Sequence, residues 1–190
     1  AYWLEFKNDE EFPAIFGGIG GGSALKWGVY PDAKTGQWMS RGLRYALIPI
    51  SLEQAIAVAR KHREQLAKGV ELLTQLPRYV GDQAYEELQR GMNTVAPDVS
   101  ATAWGHKYFS LLFPDKLDDY HTASLQRFHL VRLLQQNIPA EKAGRYIAAG
   151  RYVTMAAELE TPINHFTTIL NARTKRPYRY WRVVASSDIP

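Results

Sequence analysis

The stretch "GRYVTMAAELETPINHFTTILNAR", residues 150–173, contains two helical patterns separated by a short break. The first pattern ends in small and apolar residues, and Thr161-Pro162 forms the break, because proline rarely continues a helix. The second pattern begins near Asn164, a favourable cap, and places three apolar residues on one face: Phe166, Ile169 and Leu170. This spacing predicts a helix-turn-helix, although other helical hairpins share it.

The next stretch, "NARTKRPYRYWR" at residues 171–182, carries five cations, two tyrosines and a tryptophan, with no acid. A packed core rejects such a segment, because Lys and Arg are almost never fully buried without partners. Cations interleaved with flat aromatic rings suit a partner that has phosphates and bases. The alternation in "PYRYWRVVAS" predicts a strand. Because it follows the second helix, this strand would correspond to the wing of a winged helix. The alternative is a terminal strand whose aromatic rings face the core and whose arginines face water.

The rest of the chain predicts an α+β fold. "AYWLEF", the end of "FGGIGGGSALKWGVY" and "YALIPI" are typical of strands, with turns at the glycines and at "PDAKTGQW", so we expect a small antiparallel sheet. Helices are predicted after a cap at Ser51, over about residues 82–93, in "TAWGHKYFSLLFP" and in "SLQRFHLVRLLQQ". The last of these places four apolar residues on one face: Leu125, Phe128, Val131 and Leu134. We therefore predict a β region over residues 1–50 and a mainly helical region over 51–190, which together can form one domain.

The composition is that of a folded protein: 190 residues, of which 46% are hydrophobic and 22% charged. No apolar run approaches the ~18 residues of a membrane span, and the start has no signal-peptide pattern. The chain has no cysteine, which excludes disulfides and thiolate metal sites and favours a cytoplasmic location. Because the sequence begins within an apparent strand, we expect it to be a piece of a longer protein.

The charge is unevenly distributed. Residues 1–100 hold 11 Lys and Arg against 12 Asp and Glu, whereas residues 101–190 hold 12 against 7, and the net charge is +4. The positive excess therefore lies in the half that contains the basic stretch. A basic excess favours nucleic acid as a partner.

The glycine-rich loop lacks the spacing of a nucleotide-binding motif. A P-loop requires G-x-x-x-x-G-K-[ST], whereas Lys26 lies between Leu25 and Trp27, and residues 17–23 do not supply G-x-G-x-x-G. The loop is either a tight hairpin or a place where bare backbone N–H groups approach a phosphate beside Lys26. No cofactor is predicted.

The histidines do not form a metal-binding motif, since none of the five stands in an H-x-x-x-H pair. Asp118 and Asp119 beside His121 form either an acid–base cluster or a helix cap with a hydrogen-bonded turn. A PD-(D/E)xK nuclease would need a second half after Pro114-Asp115, but the matching Asp32-Ala33-Lys34 comes earlier in the chain. The order of these motifs argues against a nuclease.

Three longer blocks carry a resemblance to a known family. The segment from "YWLEF" to "GGGSALKWGVY" resembles the opening block of the regions that precede the motor in McrB-type AAA+ GTPase restriction proteins. "WGHKYFSLLFPDKLDDYH" with "LQRFHLVRLLQ", and "GRYIAAGRYVTMAAELETPINHFTTILNARTKRPYRYWRV", are similar to a second block of that family. The resemblance covers about residues 2–39 and 104–184.

The resemblance implies a non-enzymatic DNA-recognition domain of a modification-dependent restriction or antiviral defence system. It implies as partners DNA, modified or not, an AAA+ motor and a nuclease subunit. This chain has no Walker motif, so GTPase activity is not carried over. The predicted DNA contacts are Lys26, Lys107, His165, Thr168, Asn171, Arg173, Lys175, Arg176, Tyr178 and Arg179. Trp27, Tyr30, Trp38 and Trp104 are candidates for a pocket that holds an extruded base, or equally for the core. The alternative function is a protein-interaction domain that positions the motor or recruits the nuclease.

Overall fold

The protein has an α+β architecture, with a three-stranded antiparallel sheet near the N-terminus followed by a mainly helical body. The computed structural model describes residues 1–11, 18–20, 24–41, 46–78, 80–135 and 144–174. Within these residues no helix has the length and apolar character needed to cross a bilayer.

The N-terminal segment is helical, so the strand predicted for "AYWLEF" is wrong. A π-helix spans Trp3–Lys7 and the short helix α1 spans Asn8–Glu11. The alternation of Tyr2, Leu4 and Phe6 misled the prediction, because residues four apart also share a helix face. The rings of Tyr2 and Phe6 lie 5.8 Å apart on the exposed side, while Leu4 alone enters the core.

A small antiparallel sheet and the turn at "PDAKTGQW" are present as predicted, but the central strand of the sheet was not among the predicted strands. Strands β1 (Val29–Pro31), β2 (Trp38–Arg41) and β3 (Leu47–Ile50) pair antiparallel in the order β1-β2-β3. The carboxylate of Asp32 accepts from the backbone N–H groups of Lys34 at 3.0 Å and Thr35 at 2.9 Å, an Asx turn. Gly36 closes the turn with φ +69°, a conformation that favours glycine.

Six longer helices follow, close to the predicted positions. The first begins at a complete capping box, in which Ser51 Oγ accepts from Gln54 N and the Gln54 side chain accepts from Ser51 N. The helices are α2 (Leu52–Gln75), α3 (Asp82–Val95), α4 (Ala103–Leu112), α5 (Ala123–Arg132), α6 (Arg145–Glu158) and α7 (Ile163–Thr174).

The main core forms around the crossing of α3 and α6. A Cβ on Gly150 would lie 2.4 Å from the Tyr85 ring, so only glycine permits this close approach. Leu73, Phe109 and Tyr152 are fully buried in the same cluster. A second buried cluster joins the N-terminal segment to the helical body: Leu4, Ala96, Val99 and Trp104.

Helix α5 turns a different face inward from the predicted one. Its buried side chains are Gln126, His129 and Leu130, whereas Val131 is 51% exposed. On this face Gln126 donates to the Asp118 carboxylate and to Arg145 O, the His129 ring stacks on that of Tyr120, and Leu130 is fully buried.

Helices α6 and α7 are joined by a turn at residues 159–162, so the predicted order of helix, turn and helix is present. The turn is a Schellman motif, since Thr161 N donates to Ala156 O and Glu160 N donates to Ala157 O. Asn164 is not the cap, because Phe166 N already bonds to Pro162 O. Phe166 and Leu170 are buried as predicted, but Ile169 is 57% exposed. The predicted wing lies outside the described residues.

Candidate functional site

Helix α7 presents an exposed face that holds four of the predicted DNA contacts: His165, Thr168, Asn171 and Arg173. The opposite face packs against the body through Phe166, Thr167 and Leu170. Tyr120 Oη lies 3.0 Å from Thr167 O and 3.2 Å from Asn171 Oδ1, so its one O–H hydrogen serves both acceptors. The other C-terminal contacts predicted from the sequence lie outside the described residues: Lys175, Arg176, Tyr178 and Arg179.

Lys107 does not lie on the surface that the prediction gave it. Its side chain is fully buried on α4, next to His106. The residues around Lys107 in the sequence are compatible with either an exposed or a buried side chain. The side of α4 that faces the body determines which of the two occurs. The structure therefore removes Lys107 from the candidate surface.

A surface cleft of about 400 Å³ opens between the sheet and the first long helix, and we call it the Trp27 cleft. Its volume is that of a ligand pocket, about 300–1,000 Å³. The lining residues are Lys26, Trp27, Gly28, Ser40, Arg41, Val58, Lys61, His62, Asp98, Thr102 and Trp104.

Aromatic rings form the floor of the Trp27 cleft. The ring centroids of Trp27 and Trp104 lie 5.5 Å apart, and those of His62 and Trp104 lie 5.7 Å apart. Trp104 is 6% exposed, whereas Trp27 and His62 are half-buried and accessible. Gly28 turns with φ +79°, and a Cβ there would lie 3.3 Å from His62 Cε1, so glycine keeps this wall open.

Lys26 lines the cleft but is already bound. Its ammonium pairs with the Glu5 carboxylate, donates to Ile19 O at 2.9 Å and lies 5.7 Å from the centre of the Trp27 ring. The predicted DNA contact at Lys26 therefore anchors the N-terminal segment. Its positive charge is largely neutralised by Glu5.

Lys61 and Asp98 set the electrostatics of the rim. Lys61 Nζ and Gln65 Nε2 each donate to Asp98 Oδ2 at 2.7 Å, and these bonds, Lys61 first, lower the pKa of Asp98. Burial lowers the pKa of His62, which Asp98 partly offsets, so His62 is neutral at pH 7. The rim therefore carries two cations, Lys61 and Arg41, and one carboxylate, Asp98, above uncharged rings that are tilted by 47° and 49° to one another.

Sequence reasoning named three of the eleven residues that line this cleft: Lys26, Trp27 and Trp104. Of the four aromatic residues proposed for a base pocket, Trp27 and Trp104 both line the cleft. Tyr30 and Trp38 lie on strands β1 and β2 and are not part of its lining. Sequence reasoning did not name Lys61, although that residue is adjacent to His62 on one helix. The segment with Trp27 and the helix with Lys61 are far apart in the sequence and meet only in the folded chain. No sequence motif therefore marks the cleft.

A second cluster of ionisable side chains is sealed inside the helical body, and we call it the buried network. His106 Nδ1 lies 3.1 Å from His121 Nδ1, and His106 Nε2 lies 3.5 Å from Asp118 Oδ1. Gln126 Nε2 donates to Asp118 and to Arg145 O, and Arg145 donates to the carbonyl of His121. All five side chains are at most 7% exposed.

Burial dominates the protonation of this network. It raises the pKa of Asp118 to about 7, although the Gln126 hydrogen bond and the Arg145 charge act in the opposite direction. It also lowers the pKa of His106 well below the ordinary range, with Arg145 and His121 adding to the effect. Such deep enclosure favours a structural role for the network. In the described part of the chain no group of three or more His, Asp or Glu is arranged to hold a metal ion.

Comparison of the chain with protein-family models, with curated proteins and with solved structures finds no match.

Proposed function

We propose that this chain is a non-enzymatic DNA-binding domain, in which the Trp27 cleft receives one unstacked base. The observation that carries the proposal is the joining of two tryptophans with Lys61 and Arg41 around one open cleft. Flat rings stack on any base, and rim cations neutralise the adjoining phosphates.

The energetics favour a base that is already weakly held. Stacking on an aromatic side chain contributes about 1–3 kcal/mol per base, whereas extruding a paired base costs a few kcal/mol. The cleft alone therefore does not extract a well-paired base at a net gain. A mismatched or otherwise weakened base has a smaller extrusion cost and is the preferred occupant.

The exposed face of α7 supplies a second contact region. Arg173 and His165 stand on it with Thr168, side chains that contact phosphates and groove edges in helix-turn-helix proteins. In this proposal α7 fixes the position of the duplex and the Trp27 cleft tests one base.

The wider setting follows from the resemblance to McrB-type proteins. We propose that the domain serves a modification-dependent restriction or defence system in the cytoplasm, beside an AAA+ motor and a nuclease subunit. In that setting the domain selects the DNA, while the motor and the nuclease act on it.

The test compares a fully paired duplex with the same duplex carrying one mismatch, each titrated at low salt. The parent should bind the mismatched duplex about tenfold more tightly or better, because less pairing energy is lost. In Trp27→Leu the ratio of the two affinities should fall towards one. The ratio is independent of the folded fraction, which affects both titrations equally.

The matched control is Trp38→Leu, which removes a half-buried tryptophan from β2 outside the cleft. It should keep the parent's ratio. Equal affinities for the two duplexes in the parent would remove the base-holding role, and failure to bind any DNA at low salt would remove the function itself.

A further inference from the structure

A groove of about 770 Å³ lies beside the turn between α6 and α7, and we call it the turn groove. Val153, Ala156 and Ile163 line it but are each at most 7% exposed. Its accessible apolar surface therefore comes mainly from three other lining residues: Pro114, Ala157 and Pro162. The small side chains of Ala156 and Ala157 leave space that a bulkier group fills. Apolar space of this size at a surface is typical of binding sites.

The rim of the turn groove is acidic. Asp115 and Glu160 both line it, from two different segments of the chain, and its described lining includes no Lys or Arg. Asp115 already pairs with Arg78 at 2.7 Å, which leaves Glu160 as the main source of negative charge. On a chain whose net charge is +4, this rim favours a cationic group of a partner.

Glu160 occupies a backbone position that favours glycine. Its φ is +49°, in the left-handed region, because it follows the last residue of α6 in the Schellman turn. A residue with a Cβ is disfavoured there. A carboxylate kept at a strained position on the rim of a groove suggests a use for that carboxylate other than folding.

We propose that the turn groove docks a segment of a partner protein in which a bulky apolar side chain stands beside Lys or Arg. The apolar side chain fills the space over Ala156 and Ala157, and the cation pairs with Glu160. This interaction is separate from the Trp27 cleft and does not depend on DNA binding.

The experiment titrates two short fluorescent peptides against the whole chain: one has a leucine cluster flanked by lysines, and its twin has glutamate for each lysine. The lysine peptide should saturate and the glutamate peptide should not. Glu160→Gln should weaken binding of the lysine peptide about two- to fivefold, as expected for an exposed ion pair. Ala157→Leu, which fills the groove, should weaken it about tenfold or more.

Glu160→Gly separates binding from folding. It should raise the Tm by about 2–4 °C, because glycine favours this backbone conformation, and it should weaken binding of the lysine peptide as much as Glu160→Gln does. Glu158→Gln is the control, because Glu158 is exposed at the end of α6 and does not line the groove. The proposal is overturned if the lysine peptide fails to saturate, or if the three groove variants bind it like the parent.

Discussion

The Trp27 cleft and the buried network contain the same kinds of side chain in opposite surroundings. In the cleft, Lys61 donates to Asp98 at 2.7 Å, with 62% and 39% of the two side chains exposed. In the network, His106 lies 3.5 Å from Asp118, and neither side chain is exposed. The pKa of the carboxyl group is lowered at Asp98, chiefly by Lys61, and raised to about 7 by burial at Asp118.

Access to water explains the difference, and it assigns the two clusters different roles. An exposed ion pair contributes roughly 0–1 kcal/mol to stability, so Lys61 can exchange Asp98 for a phosphate at little cost. Removing one partner from a buried charged cluster costs about 3–5 kcal/mol, so the network cannot exchange partners. This contrast favours the cleft as the place where a ligand binds and the network as a support of the fold, which is the comparison that the following variants test.

The largest expected effect is that of Arg145→Ala. This change removes a buried guanidinium that donates to the carbonyls of His121 and Tyr120 and leaves Asp118 without its nearby positive charge. We expect the free energy of unfolding to fall by about 3–5 kcal/mol, measured by urea denaturation. The surface variant Arg90→Ala, on the exposed side of α3, should change it by about 0.5 kcal/mol or less. Similar losses in the two variants would show that the network does not stabilise the fold.

The second effect is a pH dependence due to Asp118. Its pKa is higher in the folded chain than in the unfolded chain, so its contribution is fully present below about pH 4 and is lost as the pH rises through about 7. The variant Asp118→Asn does not lose stability in this way, because asparagine does not titrate. The stability of the variant relative to the parent should therefore increase between pH 4 and pH 8.

Thermal melts of both proteins across this pH range provide the measurement. His106 acts in the other direction, since its lowered pKa makes the fold lose stability as the pH falls below about 6.5, but this loss occurs in both proteins. A constant difference between variant and parent would mean that Asp118 titrates normally in the folded chain.

Local sequence predicted the parts of the fold that depend on near neighbours. The cap at Ser51 and the turn at residues 31–38 are predicted from the sequence, and each is decided within a few residues. The inward face of α5 and the burial of Lys107 depend on which segments pack against them, and periodicity does not contain that information. Only a small part of the candidate site was predictable, for the same reason: Trp27 is a residue type that often binds bases, whereas Lys61 gains its place only from the residues that pack around it.

The third effect separates the cleft from the rest of α2. Lys61 and Lys68 lie on this helix, each exposed and each paired with an acid at 2.7 Å, but only Lys61 lines the cleft. Lys61→Ala should make the slope of log affinity for DNA against log salt shallower by about 0.9. It should also weaken binding further, because Asp98 is left as an unneutralised carboxylate that faces the DNA. Lys68→Ala exposes Glu64 in the same way and should leave both quantities unchanged, and equal effects would show that DNA does not enter the cleft.

The smallest effect concerns the exposed face of α7. Arg173 and Arg132 are both exposed in the last turn of a helix, Arg173 on α7 and Arg132 on α5. Alanine at either position removes the same favourable interaction with the helix dipole, about 0.3–1 kcal/mol, so the two variants should have similar Tm values. Their DNA binding should differ, because only Arg173 is proposed to contact a phosphate. Arg173→Ala should make the slope of log affinity against log salt shallower by about 0.9. It leaves no unneutralised carboxylate facing the DNA, so the affinity should fall less than in Lys61→Ala. If both variants keep the parent's slope, α7 does not contact DNA and any binding takes place through the Trp27 cleft without it.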